Sequence, residues 1–534
     1  MKKKIRIVIS VSLIMLLAAG LLFAGGKPEP EKEMPASGTK MEEATMGPKR
    51  GQSLVAGVMV KITSLDPVNG NAYGGGEGDV YLAIYNRLLR KDEAGQFVPE
   101  LSSSWEFSPD GKQLSFKLRQ GINFHDGTPF NAEAVKWNYD RLLDPKDATQ
   151  AYQFFTDLQS VDVVDPYTVR LNLKGPSSVI LDALAYKGGF IISPTAFKTY
   201  GEDYNQHPTG TGPFKFVEWI PGNRCVVTRN ENYWEKDENG QPLPYMDQIT
   251  FRQITDDSVR IVELQTGNAH MVVRVPAESM DIIRNDPNLV LLKSPTATTY
   301  RLYLNMRRPP FDNLKLRQAI NYAFDREAMA ESITPGQGEV NPFLILPEER
   351  YYSTYTPYNY DPAKAKKLLA EAGYPNGLDV EFMMIAREPD VTIAPVVQAY
   401  LEAIGIKTEI QPLDRLIYVD KAKNGDFDMS MAQITLPLPS IYLTMVQQIH
   451  SNGPINRAAW KNAEFDATLE ELAVTFDVDK QDELIKQAQK ICLDDAGQTF
   501  LFTRNGYDGF RKSVKGFEYQ QEGLWLLTKT WIDE

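Results

Sequence analysis

Two rhythms of apolar residues divide the chain. Over roughly the first 300 positions apolar and polar side chains mostly alternate, the period of strands with one buried face. Leu54 to Val60 is a β-branched run stopped by Ser64-Leu65-Asp66-Pro67 and by Asn69 to Gly76 with its three consecutive glycines, which predicts a strand and then a loop. Trp105 and Phe107 alternate ahead of Pro109-Asp110-Gly111, and Leu114, Phe116 and Leu118 alternate after it. That pattern is a hairpin whose turn residues accept positive φ. Val161 and Val163 answer Val169, Leu171 and Leu173 across Asp165-Pro166, and Phe214, Phe216 and Trp219 answer Cys225-Val226-Val227 across Pro221-Gly222-Asn223. Between these hairpins Asn131 caps a helix with Val135, Tyr139 and Leu142 on one face.

From about Tyr300 the period lengthens. Asp361-Pro362 is an N-cap with proline at the first helical position, Ala365, Leu368, Leu369 and Ala372 share a face, and Gly373 is the stop. Leu378 to Ile385 then reads as an apolar strand. A helix with Val397, Tyr400, Leu401 and Ile404 follows, ended by Gly405, and Ile406, Thr408 and Ile410 alternate beyond it. A strand-helix-strand unit implies a right-handed crossover and parallel pairing. Two sheet systems of different character imply at least two lobes, with a cleft between them where a small ligand binds. No repeat of fixed period is present.

The N-terminus reads as an address. Lys2, Lys3, Lys4 and Arg6 precede an apolar run from Ile7 to Phe23, then Ala24, Gly25 and Gly26. This order predicts a signal peptide over residues 1–24, a mature start near Gly25 and an exported, periplasmic or otherwise extracytoplasmic protein. The rival is an uncleaved membrane tether, because the run nearly spans a bilayer core. No Cys follows the run, so a thioether-linked lipid has no attachment atom. Residues 25–50, rich in Pro, Glu, Lys, Ser and Gly, read as a disordered linker that cannot repay its ordering entropy.

Composition narrows the partners. The 534 residues are 43% hydrophobic and 24% charged, a balance that builds several globular cores. With 57 Lys+Arg against 70 Asp+Glu the net charge is −13, which excludes nucleic acid as an expected partner. Two cysteines, Cys225 and Cys492, and four scattered histidines predict neither metal nor cofactor. Export makes a Cys225–Cys492 disulfide chemically possible, and their separation gives it no support. No Gly-x-Ser-x-Gly elbow, phosphate loop or His-Glu-x-x-His is present. His125-Asp126, followed by Gly127-Thr128-Pro129, reads as a turn in which Asp126 bonds local backbone. Asp256-Asp257 and Asp494-Asp495 read as solvated surface. The chain is therefore expected not to be an enzyme; an exported glycan or peptide hydrolase is the alternative of another class, with no carboxylate pair to assign.

Ser64-Leu65-Asp66-Pro67, Leu101-Ser102-Ser103-Ser104-Trp105, Phe116-Lys117-Leu118-Arg119 and Phe124-His125-Asp126-Gly127-Thr128-Pro129 resemble the N-terminal signature of family 5 extracellular solute-binding proteins, receptors of peptide, nickel and related ABC importers. The resemblance continues through Thr209 to Phe214, Asn232-Tyr233-Trp234, Pro309-Pro310-Phe311, Arg317-Gln318-Ala319-Ile320, Asp325-Arg326 and Glu464-Phe465-Asp466. It implies an α/β fold like the type II periplasmic binding proteins, with two lobes closing on a cleft plus a third, smaller domain. By similarity lobe I combines residues 51–93, 189–298 and 501–534, the extra domain is 94–188 and lobe II is 299–500. The implied function is capture of an oligopeptide-like solute by a monomer and its delivery to membrane permease subunits.

The resemblance also locates a departure. Peptide receptors of the family carry, after a Gly-Asp-Phe-Asp-like strand, a Trp-x-x-Asp-Tyr segment whose Asp holds the peptide ammonium. Here Gly425-Asp426-Phe427-Asp428 leads instead to Ala432 through Tyr442, and no Asp or Glu occurs from Met429 to Ala463. A buried ammonium needs a counter-charge, so an acid must come from elsewhere, for example Glu77 or Asp79. Gln433 and Thr435 beside Tyr442 and Trp460 suit sugar hydroxyls stacked on rings, and Arg415 or Arg457 suits an anion. The expected ligand contacts are Tyr73, Arg415, Gln433, Thr435, Tyr442, Arg457 and Trp460, with an oligosaccharide as the alternative solute.

Overall fold

The computed structural model describes residues 47–70, 76–92, 95–144, 151–436, 440–520 and 523–533. The expected signal, nearly all of the linker and Tyr73 lie outside these residues. Within them no helix is long and apolar enough to cross a membrane.

The hairpins form where turn chemistry allows them. Ser102–Phe107 pairs antiparallel with Gln113–Leu118 around Gly111, whose φ of 67° is open to glycine at little cost. Leu158–Asp165 pairs with Thr168–Leu173, completing a four-stranded sheet. Its inward residues Leu114, Phe116, Val169 and Leu171 bury against Val135, Tyr139 and Leu142 of the helix Ala132–Leu143. Asn131 accepts from Ala134 N at 3.0 Å, a cap worth about 1 kcal/mol.

The remaining strands build an eleven-stranded mixed sheet. From one edge to the other run Ile406–Leu413, Leu378–Ile385, Met429–Leu436, Leu289–Leu304, Thr499–Arg511, Met271–Val272, Ser53–Val58, Gln248–Gln253, Arg224–Arg229 and Phe214–Ile220, with Gly338–Glu339 added on the flank of Thr499–Arg511. Leu378–Ile385 and Ile406–Leu413 are parallel, joined by the helix Asp390–Ile404, as the strand-helix-strand pattern requires. One core packs the first half of the sheet with Tyr81, Tyr85, Phe251 and Trp525. Another packs the second half with Leu302, Phe382, Ile393, Leu401 and Phe502.

Two long strands, Leu289–Leu304 and Thr499–Arg511, join the halves. Their pairing slips between Lys293↔Tyr507 and Ala297↔Asn505, so Ser294, Pro295 and Thr296 stand opposite Gly506 alone. A Cβ at Gly506 would lie 2.5 Å from Ser294 Oγ and 2.7 Å from Thr296 Oγ1. Only glycine lets the two backbones cross this closely, and an irregular crossing is where a sheet bends.

Cys225 and Cys492 are both free and buried. The Phe124-to-Pro129 turn behaves as read: Asp126 Oδ1 accepts from Thr128 N and Oγ1 at 3.0 and 2.6 Å. His125 lies against the Gly210-Thr211-Gly212 turn, with Nε2 3.0 Å from Gly212 O, and burial lowers its pKa to about 4. Asp256 caps the helix Asp257–Thr266, Asp257 pairs with Arg260, and Asp495 pairs with Arg317. These carboxylates hold the fold together.

Candidate functional site

In α/β sheets the C-terminal ends of parallel strands, facing helix N-termini, gather ligand-binding groups. Phe382 and Met383 of Leu378–Ile385 pair in parallel with Met429 and Ser430, so that strand ends beside the middle of Met429–Leu436, and the helix Asp390–Ile404 starts just past its end. A cavity of about 290 Å³ opens here. It is lined by Arg301, Arg387 and Arg457, by a single acid, Asp390, and by Gln433, Gln448, Tyr303 and Tyr418. Three guanidinium groups against one carboxyl make a cationic pocket in an acidic chain.

Several of its polar atoms are uncommitted. Arg301 is 1% exposed; its Nη2 donates to Tyr303 Oη at 2.7 Å and to Gln448 Oε1, while Nε and Nη1 have no partner among the described residues. Asp390 is 4% exposed and its Oδ1 accepts no hydrogen bond; its other oxygen stands 3.9 Å from Arg387 Nε. Burial raises the Asp390 pKa, opposed by the Arg387 charge. Tyr300 Oη is likewise buried and unpartnered, within electrostatic reach of Arg504, Asp390 and Arg387. Burial pushes Tyr418 up to about 12, so its hydroxyl stays protonated and donates to Met431 O. Folded proteins leave few such groups unpaired, and a cluster of them calls for an explanation.

The expected contacts divide. Gln433 and Arg457 line this cavity. Thr435 lies one pleat further along, in a cross-strand row with Thr298 and Arg504. Arg415 is exposed in the first turn of the helix Arg415–Asn424 and lines neither this cavity nor the one beside Tyr442. Tyr442 lines that second cavity, of about 300 Å³, with Trp105, Phe107 and Phe476. Trp460 corrects the expectation of a stacking platform. It is 2% exposed, donates from Nε1 to Asp495 Oδ2 at 2.6 Å and packs edge-on against Phe465. Its ring is core because the backbone of Gly497 lies directly against it.

The acids suggested as counter-charges are also committed elsewhere. Glu77, 1% exposed, accepts from Thr63 Oγ1 at 2.6 Å and Ser64 N at 3.0 Å; Asp79 accepts from Gly76 N and Trp525 N at 3.0 and 2.8 Å. Asp390 is the acid in the pocket. Its position was accessible from the chain: Arg387 and Asp390 directly follow an apolar strand and open a helix, the place where such sheets bind ligands.

A continuous sheet crossed by two long strands, with a charged cavity near its strand ends, is an arrangement able to hold a small charged ligand. Residues 96–454 match the model of the bacterial extracellular solute-binding proteins, family 5 (middle), and the chain belongs to that family. It is therefore an extracytoplasmic binding protein, not an enzyme. The glutathione-binding protein GsiB of Salmonella typhi is 30% identical over 499 residues, covering 90% of this chain and 93% of its own. The ABC transporter-associated periplasmic binding protein DppA from Helicobacter pylori, solved with the peptide STSA, superposes with a TM-score of 0.74 at 26% identity, covering 91% of this chain and 99% of that one. AgaA of A.tumefacien R10, solved with agropinic acid, gives 0.73 at 27% identity, covering 90% and 99%. The fold class expected from the resemblance is the one observed.

Proposed function

We propose that this protein captures a short peptide or peptide-like zwitterion in the cavity at Arg387 and delivers it to the permease of an ABC importer. The observation that carries the reading is the grouping of Arg301, Arg387 and Arg457 around the pocket's one carboxylate, Asp390, which pairs with Arg387 and keeps Oδ1 free of hydrogen bonds among the described residues. A guanidinium pair takes a carboxylate in two parallel hydrogen bonds, and Asp390 offers the counter-charge for an ammonium. Gln433 and Gln448 can serve the amide groups between them. The relatives with glutathione, a peptide and agropinic acid in their names support a carboxylate-bearing solute. An oligosaccharide is less well served, since Trp460 offers no ring face.

The domain assignment stays part of the proposal: lobe I as residues 51–93, 189–298 and 501–534, the small domain as 94–188, and lobe II as 299–500, closing about Ser294 to Thr296 and Gly506. Signal cleavage near Gly25 belongs to it as well.

Calorimetry with glutathione and with short peptides whose ends are free, N-acetylated or C-amidated tests the reading. Binding should weaken about tenfold or more on amidation, and the double variant Arg387→Met/Arg457→Met should lose about a hundredfold. Equal binding of free and amidated peptides, or an undiminished double variant, would overturn it.

A further inference from the structure

Among the described residues only three other than glycine adopt positive φ: Ala459, Ala496 and Arg274. The first two are small. Arg274, at φ 52°, carries a long charged side chain in a strained conformation that persists only where the surroundings impose it.

Two buried charged residues impose it. Arg260, 0% exposed, donates from Nη2 to Arg274 O at 3.0 Å, from Nε to Val273 O at 2.9 Å and from Nη1 to Ile254 O at 2.9 Å. Asp508 Oδ1 accepts from Arg274 N at 2.8 Å, while its Oδ2 is held by Tyr519 Oη and Trp525 Nε1 at 2.8 and 3.1 Å. Val275 N donates to Tyr507 O, and Gln337 Nε2 to Val275 O. The backbone N–H and C=O of Arg274 are both held, and its side chain, partly open to solvent but with a desolvated guanidinium facing the Asp508 charge, makes no hydrogen bond or ion pair among the described residues. A residue serving only the fold at this φ would be glycine or asparagine.

The place matters as much as the strain. Arg274 lies against Asp508, on one side of Gly506; Arg504 lies on the same long strand on the other side. Arg504 also has no side-chain partner among the described residues; burial lowers the Arg274 pKa, the Asp508 charge opposes that, and the Arg504 charge adds to it. Arg504 shares a row with Thr298 and Thr435, one pleat from Gln433 and Tyr300. Two guanidinium groups without hydrogen-bonded partners among the described residues therefore flank the crossover between the halves of the sheet, Arg504 one pleat from the pocket residue Gln433.

We propose that Arg274, with Arg504, forms a second carboxylate subsite across the crossover from Arg387, so that the solute carries two separated carboxylates and is gripped by both halves of the sheet. This rests on the peptide-like reading above and deepens it: the substrate class becomes dicarboxylic peptides. Arg274 and Arg504 fall in lobe I as assigned above and Arg387 in lobe II, so the two carboxylates are held from opposite lobes and the second one favours closure.

The test uses the full chain, glutathione as the dicarboxylic probe and its two monoamides, in which either carboxylate is blocked. Wild type should bind glutathione at least tenfold more tightly than one of the monoamides. Arg274→Met should bind glutathione about tenfold to a hundredfold more weakly and lose that discrimination. Arg274→Gly should show the same loss together with a higher Tm in the absence of ligand, because the strain is relieved. A lower Tm for Arg274→Gly would mean that the side chain serves the fold, and would overturn the proposal. So would an Arg274→Met variant that keeps both affinity and discrimination. If Arg387→Met loses binding while Arg274→Met does not, the second subsite fails and the peptide reading stands. If neither glutathione nor a monoamide binds wild type, both fail.

Discussion

Two cavities of nearly equal volume, about 290 and 300 Å³, lie against the second half of the molecule and have opposite chemistry. The first is walled by arginines and a carboxylate with one oxygen free of hydrogen bonds among the described residues. The second is walled by Trp105, Phe107, Val179, Tyr442, Phe476 and Ile485, and its charged groups are paired. Lys91 meets Asp182 at 2.7 Å, and Glu349 accepts from Leu346 N and Tyr351 Oη at 2.7 and 2.9 Å. Ser178 N reaches Ala473 O at 2.9 Å, and the Phe107 and Phe476 rings meet edge-on at 4.8 Å. Size does not separate a seam from a site; the difference lies in whether polar atoms have already found partners. The apolar cavity joins residues near 97–182 to residues near 349–485 and needs nothing from outside. The charged one pays a desolvation cost that only a ligand repays.

Three measurements sharpen or break that contrast. The largest effect concerns Glu349, whose pKa burial raises to about 7 from an ordinary 4.5. The unfolded chain releases this proton from about pH 4.5 upward, while the folded protein keeps it until about pH 7. Its contribution is therefore full below 4.5 and lost as the pH rises through 7. Denaturant titrations should show the stability of wild type relative to Glu349→Gln falling by on the order of 3 kcal/mol between those limits. A difference independent of pH would show Glu349 to be ionised in the fold. Next, Phe476→Ala should destabilise by about 1–2 kcal/mol through lost ring packing, with glutathione affinity unchanged within about twofold. A tenfold loss of affinity would make the apolar cavity part of the binding machinery and erase the contrast. The smallest effect belongs to Arg415→Ala. Exposed in a helix outside both cavities, it should shift stability by no more than about 0.5 kcal/mol and leave calorimetric affinity unaltered.

The seam and the site also differed in how far the chain exposes them. Hairpins at Trp105 to Leu118 and Val161 to Leu173, the capped helices after Asn131 and Asp361, and the strand-helix-strand from Leu378 to Ile410 are local, and local patterning carries them. Gln433 and Arg457 were found because a stretch without acids stands out in the sequence. Arg301 was missed because nothing near it marks it; it matters through Gln448, 147 residues away. Asp390 was missed although its place between an apolar strand and a helix was legible. Trp460 misled for the same reason in reverse: an aromatic beside amides resembles a sugar platform until Gly497 and Asp495 close over it.

By itself the sequence determined the α/β class and the solute-binding family, because periodicity, turn residues and recurrent short motifs act over a few residues at a time. The tertiary structure alone decided which cations remain without partners and where the sheet crosses over. Ion pairing and backbone strain depend on groups brought together from across the chain, as Arg260 and Asp508, 248 positions apart, are brought together on the backbone of Arg274.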